Sequence, residues 1–263
     1  MIASIVTPDS ALVDAVQPSP NVEPRRDGLA PTILLLHYTG LESMAKAIDW
    51  LTRDGSGVSC HYGIDEDGRI TQMVCEDLRA WHAGESFWDG ETDINSASIG
   101  IEIHNPGHAF GYPDFPDIQM QAVERLGRDI VARRRIGPER VLAHSDVAPA
   151  RKRDPGEKFP WKVLADSGIG LWVKPARIEP AEPFYTLGET NPAIEETQTL
   201  LANFGYEVPA SGYLDGTTRD AVAAFQRHFR PQRVDGIVDV STLATLKALI
   251  AARDARRDTS RTS

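Results

Sequence analysis

The distribution of apolar residues in the first part of the chain predicts a buried sheet. Residues 33–36 and 141–143 are apolar at every position, and each run is followed by a histidine, His37 or His144. Short continuous apolar runs are typical of strands that are buried on both faces. We therefore expect His37 and His144 to lie near each other, where two strands of one sheet end.

Other segments alternate strand and helix patterns around these two runs. Strands are predicted at residues 32–37, 60–64, 70–74, 99–105 and 141–144. Residues 43–52 and 117–135 carry apolar side chains every three or four positions, which predicts amphipathic helices. Strands that alternate with helices favour an α/β fold, in which helices pack on a mixed central sheet.

A second, smaller unit is predicted after a linker. Residues 175–190 contain Pro175, Pro180 and Pro183 without a periodic apolar pattern, so we expect few contacts to cross this segment. Residues 193–204, 217–229 and 241–252 predict three short helices, and Thr218 and Thr242 are expected to be N-caps.

These boundaries divide the chain into five parts. We expect an N-terminal arm or tail at 1–26, a larger α/β domain at 27–174, the linker at 175–190, a three-helix domain at 191–252 and a polar tail at 253–263. The last nine residues are expected to be disordered.

The composition of the chain limits the classes of partner that it can bind and the cellular compartment in which we expect it. The 263 residues carry a net charge of −10, which argues against nucleic acid as a partner. We find no run long enough to span a membrane and no secretory apolar region in residues 1–26, which predicts a cytoplasmic protein. A chain whose leader had been removed would look similar, so a periplasmic location stays open. Cys60 and Cys75 are expected to be free thiols, although a disulfide is geometrically possible.

A carboxylate completes a candidate metal site with the two histidines. Asp154 follows His144 by ten residues and precedes Pro155 and Gly156, which places it on a loop. Catalytic zinc commonly has three protein ligands and an open position, where the pKa of a bound water falls to about 7. His37, His144 and Asp154 therefore predict a zinc hydrolase.

A second carboxylate lies in the strand predicted at residues 99–105. Alternation puts the isoleucines of this strand on the core face and Glu102 on the opposite face. A lone carboxylate in an apolar strand is unfavourable unless it is solvated, paired or used in chemistry. A paired structural role and a catalytic role for Glu102 both remain open from the residues alone.

The ordered motifs of the first unit resemble the type 2 N-acetylmuramoyl-L-alanine amidases, a zinc amidase family related to peptidoglycan-recognition proteins. The resemblance covers about residues 28–172, and its matching stretches are HYT at 37–39, VSCHYGI at 58–64, AWHAG at 80–84, SIGIEI at 98–103, HSDVAP at 144–149 and KRDPG at 152–156.

This resemblance implies a role for each matching position. His37, His144 and Asp154 are expected to bind zinc, in agreement with the metal site predicted above. Glu102 is expected to take a proton from the zinc-bound water and pass it to the leaving amine. Lys152 is the expected electrophile that stabilises the oxyanion, whereas Arg151 and Arg153 are expected to be solvent-exposed charges.

The second unit is similar to the small three-helix peptidoglycan-binding domain found on wall hydrolases. The matching features are TQTLL at 197–201, FGY at 204–206, DG at 215–216, AVAAFQ at 221–226 and DGIV at 235–238. The resemblance implies peptidoglycan or a muropeptide as the partner.

Other side chains are assigned more loosely. Tyr38, His82, His104 and Asn105 are expected to contact substrate or line its groove. His61 is read as a hydrogen-bonded core histidine, and His108 and His228 as surface residues. Trp88 and Tyr38 are expected either to stack on sugar or peptide or to cover the core.

The sequence thus predicts a zinc-dependent N-acetylmuramoyl-L-alanine amidase that cuts between N-acetylmuramic acid and L-alanine of the stem peptide. The lack of a leader favours a recycling enzyme acting on the 1,6-anhydro form. An exported wall amidase acting on intact peptidoglycan, and a muropeptide-binding protein without activity, are the alternatives.

Overall fold

The computed structural model describes residues 7–180 and 183–262. Residues 1–6, 181–182 and 263, which belong to the predicted arm, linker and tail, lie outside the described residues. The strands are β1 Ala15–Val16, β2 Val22–Pro24, β3 Ile33–Tyr38, β4 Tyr62–Ile64, β5 Ile70–Gln72, β6 Leu78–Ala80, β7 Ser98–Ile103, β8 Val141–Ala143, β9 Phe184–Tyr185 and β10 Val238–Asp239.

Six of these strands form the central sheet, in the order β1-β5-β4-β7-β3-β8. Strand β3 is parallel to both β7 and β8, and β4 is parallel to β7, whereas β4 and β5 form an antiparallel pair. The sheet is therefore mixed, and the predicted α/β class is confirmed.

The α-helices follow the predicted segments closely in most places. They are α1 Met44–Thr52, α2 Ile94–Ala97, α3 Asp117–Arg134, α4 His144–Val147, α5 Trp161–Asp166, α6 Pro192–Phe204, α7 Gly216–Phe229 and α8 Val240–Thr262. None of the described helices is both long enough and apolar enough to cross a membrane.

One face of the sheet is covered by α3. Alternate residues of β3, Leu34 and Leu36, are buried together with Ile99, Ile101 and Ile103 of β7. They pack against the apolar side of α3, which contributes Met120, Ala122, Val123, Leu126 and Ile130. The isoleucines lie on this core face, as their alternation along β7 predicts.

The other face of the sheet is covered by the C-terminal unit. Ile33 and Leu35 of β3 and Leu142 of β8 share one buried cluster with helices α6, α7 and α8. The C-terminal members of this cluster include Ile194, Leu201, Phe204, Tyr206, Val222, Phe225, Phe229, Leu246 and Leu249. The expectation that few contacts join the two units is therefore wrong, because the second face of a parallel sheet also needs an apolar cover.

Trp88 lies in the middle of this shared core. It is 2% exposed, and its ring contacts the rings of Phe204 and Tyr206 with centroids 5.7 and 4.9 Å away. Gly205 ends α6 at a φ of 140°, and a Cβ there would lie 2.6 Å from the Trp88 ring. Of the two predicted roles for Trp88, the structure therefore supports core packing.

The predicted linker is attached to the C-terminal unit over part of its length. Strand β9 pairs antiparallel with β10. The backbone N–H of Ala176 donates to Thr245 Oγ1 at 2.9 Å, and Ser241 Oγ donates to the Ala176 carbonyl at 2.7 Å.

Two expectations for the C-terminal helices are wrong. Asp215 and Asp239, not the threonines, accept the N-terminal hydrogen bonds of α7 and α8, and the backbone N–H groups of Thr218 and Thr242 are their donors. The segment expected to be a polar tail continues α8 to Thr262, and the Arg253 guanidinium anchors this helix by donating to Asn203.

The described part of the N-terminal arm lies along the sheet. Strand β1 pairs with β5 and β2 pairs with β6, while Arg25 is 6% exposed and donates to the Glu76 and Ser96 carbonyls. Cys60 and Cys75 are free thiols, the first buried and the second half-buried.

His61 is a buried and hydrogen-bonded core histidine, as predicted. Its Nδ1 accepts from the Gly100 N–H at 3.0 Å, and its Nε2 lies 3.1 Å from the Leu78 carbonyl. Because a carbonyl only accepts, the ring proton lies on Nε2. Burial, and then the charge of Arg25, lowers the pKa of His61 from 6.5 to about 3.

This pKa predicts a loss of stability in acid. Between pH 6.5 and 3 the unfolded chain binds a proton that the folded protein does not, so stability falls as the pH falls. Each such proton contributes up to about 1.4 kcal/mol per pH unit to the slope. Denaturant unfolding of the metal-free protein at a series of pH values gives the free energy of unfolding as a function of pH. This plot should have a shallower slope for His61→Gln, by the amount that corresponds to about one proton. An unchanged slope would contradict a neutral His61.

Candidate metal centre

The sheet brings the three predicted metal ligands together. His37 lies in β3, His144 begins α4 directly after β8, and Asp154 comes from the loop that follows α4. His37 Nδ1 lies 2.9 Å from His144 Nδ1 and 3.2 Å from Asp154 Oδ2, and His144 Nδ1 lies 2.9 Å from the same oxygen. All three residues are buried, and their donor atoms form a possible metal site.

The tautomer of His144 is set by a backbone carbonyl. His144 Nε2 lies 3.0 Å from the carbonyl oxygen of Ala83. A carbonyl only accepts, so Nε2 carries the proton and Nδ1 keeps its lone pair. This lone pair points toward His37 and Asp154.

A longer chain of hydrogen bonds sets the tautomer of His37. Ser98 Oγ donates to the Ile94 carbonyl at 2.5 Å, which leaves the hydroxyl oxygen to accept from His82 Nε2 at 3.4 Å. His82 Nδ1 then accepts from His37 Nε2 at 2.9 Å. His37 Nδ1 therefore also carries a lone pair toward the site.

This donor set fits a divalent cation. Burial, and then the nearby His144, lowers the pKa of His37 to about 4, so its imidazole is neutral at pH 7. Two bare nitrogens and a carboxylate oxygen repel one another at these distances unless a positive charge lies between them. Two imidazoles and one carboxylate form a three-ligand set of the kind used by catalytic zinc sites.

Glu102 lies beside this site because of the strand register. In the parallel pair of β3 and β7, His37 and Glu102 are direct partners. Glu102 Oε2 is buried and has no hydrogen-bond partner among the described residues. Burial, and then the charge of Asp154, raises the pKa of Glu102 well above 4.5, although Lys152 opposes this. The paired structural role considered from the sequence is therefore not supported.

The three predicted ligands line a cleft of about 450 Å³. Lys152 is half-buried and lines the cleft together with Glu102 and Tyr38. The hydroxyl of Tyr38 lies 3.0 Å from His108 Nδ1, and the other ring nitrogen of His108 lies 3.1 Å from Glu157. Tyr38 is thus both a wall of the cleft and a hydrogen-bonded residue.

The other expected substrate contacts lie in different places. His82 lines the cleft, but its Nδ1 also accepts a hydrogen bond from Nε2 of His37, the ring nitrogen outside the donor cluster. His104 and Asn105 are 5% and 2% exposed and do not line the cleft. His104 bonds to Thr39 and Asn105 to Pro113 and Gly107, so the structure does not bring these two side chains to the site.

Several residues of the site were missed from the sequence. Arg151 is exposed, as expected, but its guanidinium also donates to the carbonyls of Ala83 and Glu85 and lines the cleft. Asn95 Oδ1 accepts from the N–H groups of His82 and Ala83 and fixes their loop.

Gly100 was the available signal for the close approach of His82. A Cβ at Gly100 would lie 2.7 Å from the His82 ring, and a glycine inside a strand often marks such a contact. Trp50 and Trp81 also line the cleft, on the side of α1 and of the loop after β6. Nothing in the apolar pattern distinguishes these two tryptophans from core residues.

Known proteins with this arrangement were found by sequence and by structure. Residues 27–157 match the N-acetylmuramoyl-L-alanine amidase family, and residues 190–246 match a peptidoglycan binding domain. The N-acetylmuramoyl-L-alanine amidase AmiD of Escherichia coli K12 is 39% identical over an alignment 236 residues long, and the match covers 83% of this chain and 82% of AmiD. This chain belongs to the N-acetylmuramoyl-L-alanine amidase family.

Solved structures of other amidases have the same fold. A complex of AmiD from E. coli with anhydro-N-acetylmuramic acid-L-Ala-D-gamma-Glu-L-Lys superposes with a TM-score of 0.72 at 35% identity, covering 88% of this amidase and 92% of that chain. AmpDh3 from Pseudomonas aeruginosa gives a TM-score of 0.70 at 32% identity, covering 86% of this chain and 94% of its own. The 1,6-anhydro-N-acetylmuramyl-L-alanine amidase AmpD of E. coli K12 is 34% identical but matches only 55% of this chain, and 86% of its own length.

The hydrogen-bond chain behind His37 predicts the effect of changing His82 in this amidase. His82→Leu should weaken zinc binding about 10- to 100-fold, the usual effect of removing a partner of a metal ligand. His82→Asn keeps an acceptor near the position of Nδ1 and should retain most of the affinity. Zinc competition titrations measure both variants, and equal losses in the two would contradict the proposed bond to His37.

Proposed function

We propose that this amidase holds one zinc ion with His37, His144 and Asp154 and hydrolyses the amide between N-acetylmuramic acid and L-alanine of a stem peptide. The observation that carries this proposal is the convergence of three bare donor atoms beside a carboxylate oxygen without a partner. The three donor atoms are unfavourable at these distances without a cation between them, and the buried carboxylate oxygen is unfavourable without a proton to accept.

Glu102 is the proposed proton carrier. When bound, zinc lowers the pKa of a water molecule and polarises the scissile carbonyl. The Glu102 carboxylate takes the proton of the attacking water and passes it to the leaving amine of L-alanine. Burial raises the pKa of Glu102 above the ordinary carboxylate value, which is the direction that favours a base working near neutral pH.

Lys152 is the proposed electrophile of the reaction. It lines the same cleft as Glu102 and precedes the ligand Asp154 by two residues. Its ammonium group donates to the oxyanion that forms when water attacks the amide. A donor in this position is typically worth about 2.7 to 4 kcal/mol of transition-state stabilisation.

The cleft also supports a muropeptide as the substrate. Arg151, Lys152 and Arg153 bring positive charge to one side, which complements the carboxylates of a stem peptide. Tyr38, Trp50 and Trp81 provide aromatic surface for the sugar. We propose the 1,6-anhydro form as the preferred substrate, since AmiD was solved with an anhydro-N-acetylmuramic acid peptide.

Two alternatives are kept for specific reasons. The match to a peptidoglycan binding domain favours an exported amidase that acts on intact peptidoglycan. A muropeptide-binding protein without activity is disfavoured, because Glu102 and Lys152 lie in the cleft together with all three ligands. A cytoplasmic recycling role stays a prediction.

Two substitutions separate proton transfer from metal binding. Glu102→Gln should keep about one zinc per chain but lose 10² to 10⁴ in turnover, the range for a positioned acid or base. Asp154→Asn should lose both zinc and turnover, because it removes a ligand charge. Metal analysis and turnover of a soluble muropeptide check both variants. Loss of zinc from Glu102→Gln would place Glu102 among the ligands.

The substrate is tested by comparing products from two sources. Mass spectrometry should show release of stem peptides from soluble anhydromuropeptides at a higher rate than from intact sacculi. The reverse preference would favour the wall amidase, and no release from either source would favour the binding protein.

A further inference from the structure

A buried carboxylate joins the C-terminal unit to the turn that carries His144. Asp146 is 1% exposed, and its Oδ1 accepts from the Tyr206 hydroxyl at 2.6 Å. Its Oδ2 accepts from His228 Nδ1 at 2.7 Å and from the backbone N–H of Ala143 at 2.8 Å. Ala143 and Asp146 lie on either side of His144 along the chain, so the same carboxylate closes the turn and binds the C-terminal unit.

Both donors from the C-terminal unit are firmly placed. Tyr206 is 2% exposed, and burial, and then the charge of Asp146, raises its pKa well above 10, so the hydroxyl keeps its proton. The His228 ring stacks on the ring of Trp161 in the first unit, with centroids 3.7 Å apart, and on the ring of Phe229, with centroids 3.8 Å apart. His228 is 2% exposed, so its assignment to the surface was wrong.

The turn itself has little stability of its own. Helix α4 is four residues long, and a single helical turn is unstable without outside contacts. One outside contact is the backbone bond from the Ser145 N–H to the Asp154 carbonyl at 3.0 Å. The others are the bond from the Phe87 N–H to the Val147 carbonyl, the bond from His144 Nε2 to the Ala83 carbonyl and, from the C-terminal unit, the contacts of Asp146 with Tyr206 and His228.

We infer that the C-terminal unit is part of the metal centre, in which Tyr206 and His228 act as positioning residues for His144 through Asp146. This inference rests on the proposed zinc site. It replaces the expectation that few contacts join the two units, because the two donors bind the carboxylate that shapes the ligand-bearing turn. Neither residue touches substrate, so neither is a catalytic residue.

The apolar interface does not explain these polar contacts. The buried cluster around Trp88 already holds the two units together. A buried carboxylate is unfavourable unless it is fully hydrogen-bonded, so the Tyr206 and His228 donors allow a charge to lie in the turn. Their removal should loosen α4 while the apolar interface stays in place.

The experiment compares full-length variants loaded with zinc or cobalt. Tyr206→Phe and His228→Leu each remove one donor, and His228→Asn keeps a donor nitrogen near the position of Nδ1. Thr245→Val is the matched control, since it also removes a fully buried hydroxyl that accepts from Ala176, far along the chain from α4. The readouts are the rate of zinc release to a chelator, the visible spectrum of the cobalt protein and the thermal midpoint.

Tyr206→Phe and His228→Leu should release zinc about tenfold faster than the unchanged protein and should show a changed cobalt spectrum. His228→Asn should lie close to the unchanged protein. Thr245→Val should lower the thermal midpoint without altering either metal readout.

If Tyr206→Phe and His228→Leu lower the thermal midpoint as Thr245→Val does but leave zinc release and the cobalt spectrum unchanged, the positioning role is overturned. An unchanged protein that binds neither ion overturns the proposed zinc site and this inference with it.

Discussion

The central constraint on this structure is that three lone pairs must meet in one buried place. His37 Nδ1, His144 Nδ1 and Asp154 Oδ2 lie within 3.2 Å of one another. The two imidazoles offer their lone pairs only because their other nitrogens donate to groups that accept. One path of hydrogen bonds ends at the Ala83 carbonyl and the other at the Ile94 carbonyl, and a carbonyl cannot donate.

The rest of the fold maintains these two paths. The parallel register of β3 and β7 places Glu102 beside His37, and β8 delivers His144 on the other side. The loop of His82 and Ala83, which supplies both hydrogen-bond partners, is itself fixed by Asn95. The C-terminal helices cover the sheet face on which His37 lies and bind Asp146 next to His144. The metal centre is therefore assembled by both units of the chain.

The sequence predicted the parts of this site that follow from local pattern. The ends of two apolar runs indicated His37 and His144, the turn residues after Asp154 indicated the third member of this cluster, and alternation along β7 placed Glu102 on the opposite face from the isoleucines. Contacts between distant segments could not be predicted in the same way. The bond from His37 to His82 depends on the space left by Gly100, and the role of His228 depends on how α7 packs on α4.

The same limit explains the expectations that failed. Pro175 and its neighbours have the composition of a linker, so few contacts were expected between the two units. The apolar pattern of the strands shows that both faces of the sheet are buried but does not show that the C-terminal helices cover one of them. The final segment is polar, yet it continues as a helix, in which Arg253 donates to Asn203. Polarity alone does not separate a solvated helix from a disordered tail.

Zinc K-edge X-ray absorption of the loaded protein tests the central claim most directly. The account predicts a first shell made only of nitrogen and oxygen at about 2.0 to 2.2 Å, with the outer-shell scattering of two imidazoles. A sulfur neighbour at about 2.3 Å, or the scattering of fewer than two imidazoles, would contradict it.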